Sequence, residues 1–170
     1  MHKRAQSKRT PDRRNRLLIV DGQVSGKPAT VLIDGGAGIN AINEQFARTH
    51  GIKLRQGTER RIALAGGQRQ DASLTATAEV RMQRYASRVE LRATNLEGWD
   101  VLLGKPWLTD NNPRINWKEN TVEIFRKGRK LVISADASRK LPTSLRNERQ
   151  LPACKQSVAF SNARRRNSSD

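Results

Sequence analysis

Short runs of aliphatic and β-branched residues, separated by turn formers, dominate the middle of the chain. Two nearly all-apolar runs, 17–20 and 29–33, flank the turn-forming segment 25–28, which predicts a hairpin whose strands are covered on both faces. Farther along, apolar and polar residues alternate at 74–80 and 88–92, and this period of two predicts two half-buried strands. The pattern is that of a β-rich protein.

Further strands follow the same pattern. One of them runs into Gly66-Gly67, which is typical of a hairpin tip, and another ends at Gly104. The remaining predicted strands, each a short run containing β-branched or aliphatic residues, are 61–65, 99–103, 121–125 and 131–133.

Helix signals are few and short. Asn43 is placed to cap a helix over 44–50, with Gly51 as its left-handed stop. Pro106 suits the start of a second short helix, which Pro113 must end. Many short strands, one or two short helices and no strand–helix–strand rhythm predict an all-β fold, a closed and mostly antiparallel domain.

Charge divides the chain into three parts. The 33 Lys and Arg residues outnumber the 16 Asp and Glu residues, for a net charge of +17. Residues 1–16 carry +6 and residues 136–170 carry +5, and both ends lack periodic apolar residues. We therefore predict a folded domain at 17–135 between two basic disordered tails. The tails are either solvated linkers or weak, salt-sensitive contacts for RNA or DNA.

The sequence has few cysteines and histidines and no long apolar run, which excludes several functional classes. No apolar run approaches the roughly 20 residues that a bilayer requires, and 1–16 has no apolar signal core, so we expect a soluble, intracellular, cytoplasmic protein without membrane contact. Cys154 is the only cysteine, which excludes an internal disulfide and a zinc site with several thiolates. His2 and His50 are too isolated to form a metal site. We expect no metal and no cofactor.

The candidate chemistry lies where the second apolar run enters Asp34-Gly35-Gly36-Ala37-Gly38. Glycines allow the backbone to turn sharply beside the carboxylate. Taken alone, the segment is typical of an Asp that caps its own turn. What favours catalysis is the order of the features that follow: a small helix, a Gly-Gly hairpin, and an apolar strand that ends in Gly and leads to Pro-Trp-Leu.

This order of features resembles the retropepsin-like aspartic proteases, most closely those of gypsy-type retrotransposon polyproteins of the Gag-Pol type. The resembling segments are 31–37, 63–67, 99–108 and 112–117. The most specific feature is the set of tryptophans and prolines at fixed offsets in the last two of these segments. The resemblance implies a retropepsin-like closed β-barrel, the acid protease fold with one lobe per chain.

The resemblance also implies a catalytic role for Asp34. In this class, two carboxylates share one proton and activate a water molecule between them, because two like charges about 3 Å apart cannot both ionise. The chain offers one such loop, since Asp21 and Asp110 lack the preceding apolar strand and the following small residues. A homodimer with Asp34 of each chain at a two-fold axis is therefore implied. Its substrate would be a peptide or polyprotein.

The resemblance also implies roles for further residues, by their positions in the matching segments. Gly36 would let the substrate backbone approach, Ala37 would line the cleft, and Gly66 and Gly67 would form a flap tip that closes over the peptide. The residues expected to support the loop from beneath are Leu102, Leu103 and Gly104. Trp107 and Trp117 are expected to anchor the core, and Asn116 to serve as a structural turn residue.

One position departs from the family pattern. Gly35 stands where these proteases normally have Ser or Thr, whose hydroxyl hydrogen-bonds across the dimer and stiffens the paired loops. Losing such a bond removes about 0.5–1.5 kcal/mol and adds backbone freedom. A catalytically silent domain of the same fold, serving as a dimerisation or nucleic-acid-binding module, is therefore the alternative hypothesis.

Overall fold

The structure, a computed structural model, describes residues 17–59, 61–63 and 69–135. The described part of the chain is mostly β, with two short helices, and neither helix is long and apolar enough to cross a membrane. The elements in chain order are β1 (Leu18–Val24), β2 (Lys27–Ile33), β3 (Ala41–Asn43), α1 (Glu44–Thr49), β4 (Arg55–Gln56), β5 (Arg61–Ala63), β6 (Arg69–Asp71), β7 (Leu74–Met82), β8 (Tyr85–Thr94), β9 (Val101–Leu103), α2 (Lys105–Asn111), β10 (Arg114–Asn116), β11 (Thr121–Arg126) and β12 (Arg129–Ser134).

Six strands form a closed barrel in the order β1-β2-β9-β3-β8-β7, because β1 also pairs with β7. The short strand β4 adds to the other half of the β7 edge. Closure removes the unpaired edges that an open sheet would expose. Two pairs in this sheet, β2 with β9 and β3 with β8, are parallel, and the remaining pairs are antiparallel. The predicted closed, mostly antiparallel barrel is confirmed.

The parallel pairing of β2 with β9 brings distant parts of the sequence together. Ile33, the last residue of β2, lies opposite Leu103, the last residue of β9. Leu18 pairs with Ile33 on the other side of β2. Because parallel strands end at the same edge of a sheet, the residues that follow Ile33 and Leu103 emerge next to each other.

A buried tyrosine and tryptophan join α2 to the barrel. Tyr85 and Trp107 are 0% and 2% exposed, and their rings pack edge to face with centroids 5.6 Å apart. Trp107 Nε1 donates a hydrogen bond to the Tyr85 hydroxyl (2.9 Å), which donates to Asn111 Oδ1 (3.1 Å). Burial of two large rings is favourable only because their polar atoms are paired in this way.

The first helix is capped as predicted. Asn43 Oδ1 accepts a hydrogen bond from the Phe46 backbone N–H at 3.0 Å, and Gly51 has a left-handed φ of +66° just beyond the helix. The helix ends at Thr49, one residue earlier than expected. In the second helix, Pro106 lies in the first turn, and Asn112, in a left-handed conformation, ends the helix one residue before Pro113.

The C-terminal strands form a separate three-stranded sheet in the order β10-β11-β12. Val122, Ile124 and Ile133 of this sheet are buried against the barrel. Strand β10 did not stand out in the sequence, because its three residues carry two exposed polar side chains. The expectation that Trp117 anchors the core is wrong, since its side chain lies in the turn after β10 and is 68% exposed. Asn116 does serve the turn, accepting hydrogen bonds from two backbone N–H groups at 3.1 and 3.0 Å.

Gly104, between β9 and α2, passes unusually close to the segment that follows β2. A Cβ atom placed on Gly104 would lie 2.2 Å from the carbonyl oxygen of Ile39 and 2.4 Å from that of Ala37. Both atoms belong to the backbone and cannot rotate away. A glycine is therefore required where the two segments cross.

Replacing Tyr85 with Phe tests the buried hydrogen bonds. The substitution keeps the ring but leaves Trp107 Nε1 and Asn111 Oδ1 without the hydroxyl that they share, so we expect a loss of about 1–3 kcal/mol in the free energy of unfolding. Urea denaturation followed by fluorescence measures this loss. The control is Ser87→Ala on the same strand, whose long 3.5 Å bond is exposed, and which should change stability by less than about 0.5 kcal/mol. Equal effects of the two variants would contradict this account.

Gly104→Ala tests the backbone crossing. Because the new methyl group would overlap two carbonyl oxygens, we expect the free energy of unfolding to fall by about 2–3 kcal/mol or more. The matched control is Gly35→Ala, where the new Cβ would meet only Leu108 Cδ1, at an ordinary contact distance of 3.7 Å. That variant should keep or slightly raise stability, by up to about 1 kcal/mol. Thermal unfolding of both variants compares them directly.

Candidate active site

Asp34 begins the loop that leaves the end of strand β2. Its backbone N–H donates a 3.0 Å hydrogen bond to the carbonyl oxygen of Leu103, which is itself fully buried at the end of β9. The preceding residue, Ile33, is also buried. Asp34 is thus the first half-buried residue after a buried strand, and its backbone position is set by the barrel.

The loop closes on itself through the same residue. The Asp34 carbonyl oxygen accepts a 3.2 Å hydrogen bond from the Ala37 N–H, and Asp34 Oδ1 accepts one of 2.8 Å from the Gly36 N–H. One carboxylate oxygen of Asp34 therefore caps its own turn, as is typical of an Asp in such a segment. Within the described ranges, no hydrogen-bond donor contacts Oδ2. Asp34 Oδ1 therefore orders the loop, and Oδ2 remains available for chemistry.

An open cavity of about 420 Å³ lies beside this loop. One wall is the segment 35–38, in which Gly35 and Gly36 are exposed, and the other wall is the exposed face of α2. The residues that α2 contributes are Lys105, Pro106, Thr109 and Asp110. Glycines in the first wall let another backbone approach without meeting side chains.

Asn40 supports the loop from beneath, a role that the sequence analysis missed. Its Oδ1 atom accepts hydrogen bonds from the backbone N–H groups of Gly104 (3.0 Å) and Trp107 (3.3 Å). Gly104 is the N-cap of α2 and has no side chain with which to cap it, so Asn40 supplies the capping oxygen from a distant part of the chain. The one available signal was a polar residue between two apolar ones, Ile39 and Ala41.

The base of the β5–β6 hairpin packs next to the same segment. Ile62 of β5 is 6% exposed and belongs to a small apolar cluster with Ile39, Ala41 and Ala72. Leu102 packs against this cluster, whereas Leu103 faces the main core. Strands β5 and β6 pair antiparallel with Ala63 opposite Arg69, which confirms the predicted hairpin up to the described residues.

Arg92 clamps both legs of this hairpin to the barrel. Its guanidinium donates to the carbonyl oxygens of Thr58 (3.0 Å) and Ala72 (2.9 Å), and to Thr58 Oγ1 (3.1 Å). Thr58 precedes β5 and Ala72 follows β6. On the other side, Gln70 Oε1 accepts a 2.8 Å hydrogen bond from Thr94 Oγ1. The alternating pattern predicted that Arg92 lies on the outer face of its strand, but it did not indicate that the side chain binds both legs of the hairpin.

The predicted site residues fall into three groups. Asp34, Gly35, Gly36 and Ala37 share one loop, and Ala37 is buried while lining the cavity. Beneath this loop lie Leu103 and Gly104, and Lys105 N–H donates a 2.7 Å bond to the Ala37 carbonyl. Leu102 packs on the opposite face of β9 from Leu103. The predicted flap residues Gly66 and Gly67, like the predicted tails 1–16 and 136–170, lie outside the described residues.

The other well-placed aspartates have structural partners. Asp100 Oδ2 accepts a 2.7 Å hydrogen bond from the Thr30 N–H, and Asp71 lies 3.5 Å from Arg61 across the hairpin. In the described part of the chain, no group of three or more His, Cys, Asp and Glu side chains is arranged to hold a metal ion. The loop of Asp34 therefore contributes one carboxylate next to the open cavity, and the exposed Asp110 of α2 lies on the opposite wall.

Comparison with solved structures supports the fold. The crystal structure of the retroviral protease-like domain of Ddi1 from Leishmania major matches with a TM-score of 0.53 at 16% sequence identity, covering 69% of this chain and 92% of that one. At this identity, the match establishes the fold alone. The solution structure of the simian foamy virus (mac) protease aligns with a TM-score of 0.38 at 18% identity over 54% of this chain and 91% of that one, too low to support a structural conclusion.

Sequence comparison identifies the family. No curated protein sequence matches the chain. The family model described as the PEG10/RTL1 protease domain matches residues 30–129, which is more than half of the chain and includes the Asp34 loop, the β5–β6 hairpin, β9 and α2. The resemblance to retropepsin-like domains of gypsy-type retrotransposons is confirmed, and the chain belongs to the PEG10/RTL1 protease domain family.

Proposed function

We propose that this chain is an aspartic endopeptidase of the retropepsin type. It is active as a homodimer, in which Asp34 of each copy contributes one of the two catalytic carboxylates. Its substrate is an extended peptide segment, and its role is the processing of a polyprotein in the cytoplasm or inside retroelement particles. The observation that carries this proposal is the placement of Asp34 at the end of a buried strand, directly before the exposed Gly35 and Gly36, which line an open cavity.

The reaction needs both carboxylates in different protonation states. The two Asp34 side chains share one proton, because like charges this close cannot both ionise. The ionised carboxylate takes a proton from a bound water, whose oxygen attacks the carbonyl carbon of the peptide bond. The protonated carboxyl group donates its proton to the carbonyl oxygen. As the tetrahedral intermediate collapses, the carboxyl group that took the water proton donates it to the amide nitrogen and the C–N bond breaks. The other carboxylate takes back the hydroxyl proton as the carbonyl re-forms, which restores the shared proton.

The loop geometry supports this chemistry in two ways. The Gly36 N–H holds Asp34 Oδ1 at 2.8 Å, which fixes the carboxylate plane relative to the loop. The Asp34 N–H is tied to the β9 strand through Leu103. A carboxylate held at both its backbone and its side chain loses little freedom when a substrate binds, and such preorganisation is a large part of enzymatic rate enhancement.

Gly35 favours the second candidate function, a catalytically silent domain of the same fold. Its position has room for a side chain, since a Cβ atom would contact only Leu108 Cδ1 at 3.7 Å. Crowding therefore does not explain the absence of a hydroxyl. In the silent module, the domain would dimerise or bind nucleic acid, with the basic tails contacting phosphates. RNA binding that survives Asp34→Asn and weakens steeply with salt, in a protein that cleaves nothing, would favour this candidate.

Asp34→Asn tests catalysis. The amide cannot accept the water proton, so we expect cleavage of a mixed peptide library at mildly acidic pH to fall by at least about 100-fold. The control is Glu79→Gln, which removes an exposed carboxylate paired with Arg81 on β7 and should leave cleavage unchanged. In the wild type, the rate should rise faster than linearly with protein concentration, because two chains form one site. Cleavage that persists in the Asn variant would overturn the proposal.

Gly35→Ser tests the departure from the family pattern. The hydroxyl would restore a hydrogen bond of about 0.5–1.5 kcal/mol at each loop, so we expect a tighter dimer and faster cleavage, each by several-fold. Gly35→Ala is the matched control, because it restricts the backbone to the same degree without the hydroxyl. Sedimentation equilibrium and peptide cleavage report the two quantities. If Ser and Ala behave alike, the hydroxyl is not what the site lacks.

A further inference from the structure

Two hairpins that are distant in sequence pack against each other on the outside of the barrel. Gln83, in the turn between β7 and β8, exchanges two hydrogen bonds with the backbone of Ser134 in β12: its Nε2 donates to the carbonyl oxygen at 2.8 Å, and its Oε1 accepts from the N–H at 3.2 Å. Arg126 of β11 donates a 3.1 Å bond to the carbonyl oxygen of Ala86 in β8. The two hairpins therefore form one continuous surface.

This surface is strongly basic. Segments 81–88 and 126–130 contain seven Lys and Arg residues, all exposed, and no Asp or Glu. Arg81 is paired with Glu79 at 2.9 Å and Lys130 with Glu123 at 3.0 Å. The other five form no ion pair with any residue that the structure describes, and we call them the basic face: Arg84, Arg88, Arg126, Lys127 and Arg129.

Nearby carboxylates do not balance the basic face. Glu90 and Asp110 line the same groove as Arg88 and Arg126. Glu79 lies opposite Arg88 across the β7–β8 pair, but it is already bound to Arg81. Five cations therefore face two carboxylates that have no ion pair of their own in the described part of the chain. Such an excess of one sign attracts a ligand with several negative charges.

An exposed aromatic ring lies beside these cations. Phe125 is 54% exposed, and it lines a groove of about 500 Å³ together with Arg88 and Arg126. The guanidinium of Arg114 lies 5.3 Å from the centroid of its ring. Cations that follow a phosphate backbone, next to an aromatic ring on which a base can stack, are the combination that binds single-stranded nucleic acid.

The residue types in the basic face also favour nucleic acid. Four of its five members are arginines, whose planar guanidinium binds phosphate through two hydrogen bonds and stacks on bases. Arg126 is held in place, because it binds the Ala86 carbonyl and its guanidinium lies 5.5 Å from the centroid of the Tyr85 ring. A cation that is already ordered loses less entropy when it binds a ligand.

The chain leaves the described domain beside the basic face. Ala135 is the last described residue, and its neighbour Ser134 is bound to Gln83 in the β7–β8 turn. The residues that follow, 136–170, carry a net charge of +5. The basic segment of the sequence thus begins where the basic face lies. A ligand with many phosphates in a row fits this arrangement better than a single phosphate does.

We infer that the basic face binds the phosphate backbone of single-stranded nucleic acid, with a base stacked on Phe125. The binding surface belongs to the folded domain and adds to any contact that the tails make. None of its five cations lines the cavity beside the Asp34 loop. The inference therefore holds whether or not the domain cleaves peptides.

The test is the affinity of the full chain for a labelled oligouridylate of about 20 nucleotides, measured by fluorescence anisotropy over a range of KCl concentrations. Lys127→Gln/Arg129→Gln should weaken binding by about 5-fold or more at 0.1 M salt, because two phosphate contacts are lost. The slope of log affinity against log salt should fall by about 1.4, since each contact to a single strand contributes about 0.7. Arg84→Gln/Arg88→Gln should have the same effect.

Lys53→Gln/Arg55→Gln is the matched control. It removes the same charge from two exposed residues and leaves both tails intact. Arg55 pairs with Thr75, at the opposite end of β7 from the β7–β8 turn. This variant should change the affinity by less than about 2-fold, because these cations lie away from the basic face. Far-UV circular dichroism should show that all of these surface variants remain folded.

Phe125→Ala tests base stacking. We expect a loss of about 5-fold or more in affinity for oligouridylate with no change in the salt slope, because stacking on a ring releases no counterions. Phe125→Tyr keeps an aromatic face and should keep the affinity. Inorganic polyphosphate of similar length has no bases, so its binding should not respond to Phe125→Ala.

Three results would overturn the inference. The first is a wild-type chain that does not bind oligouridylate, and the second is an equal loss in Lys127→Gln/Arg129→Gln and Lys53→Gln/Arg55→Gln. The third is binding to vesicles of phosphatidylserine and phosphatidylcholine that depends on the basic face while oligouridylate binding does not, since the ligand would then be a membrane surface. Peptide cleavage by Lys127→Gln/Arg129→Gln should equal that of the wild type, so failure of this inference and failure of the proposed protease are distinguishable.

Discussion

The close crossing of Gly104 beneath the Asp34 loop is the constraint on which the site depends. At this point, the segment entering α2 passes under Ala37 and Ile39 with no room for a side chain. Three hydrogen bonds hold the crossing: Leu103 and Ala37 accept from the backbone across it, and Asn40 caps the helix start. Because these bonds lie between segments about 70 residues apart in sequence, the loop acquires its geometry only when the barrel closes.

The barrel and the hairpin over it are tied together at a few named contacts. Ile62 buries its side chain against residues that directly follow the Asp34 loop. Arg92 binds carbonyl groups on both legs of the hairpin. A hairpin of this length is only marginally stable by itself, so these contacts keep its base in register with the floor of the cavity.

The proposed catalysis is coupled to association, because each chain presents one loop with one such carboxylate. The protein concentration would set the fraction of active enzyme, and any residue at the interface would influence activity without touching the substrate. A substitution at Gly35 would change both the rigidity of the loop and the affinity of the dimer.

The sequence by itself determined the class of the fold, most of its elements and the identity of the central loop. Alternating and apolar runs marked the longer strands, and Asn43, Gly51 and Pro106 marked the helices, because these signals act over a few neighbouring residues. Strands β3, β4 and β10 were missed, since segments of two or three residues are too short to carry such a signal. The order of Asp34, the hairpin and the strand ending in Gly104 was sufficient to identify the family.

Only the tertiary structure decided how distant residues act together. The roles of Asn40, Tyr85 and Arg92 depend on partners that are 20 to 67 residues away in sequence. No local pattern distinguishes such residues from ordinary polar or aromatic ones. The exposure of Trp117 is the clearest case: apolar character predicts burial, but which surface covers a side chain depends on how the whole chain folds, and here the domain itself leaves the indole uncovered.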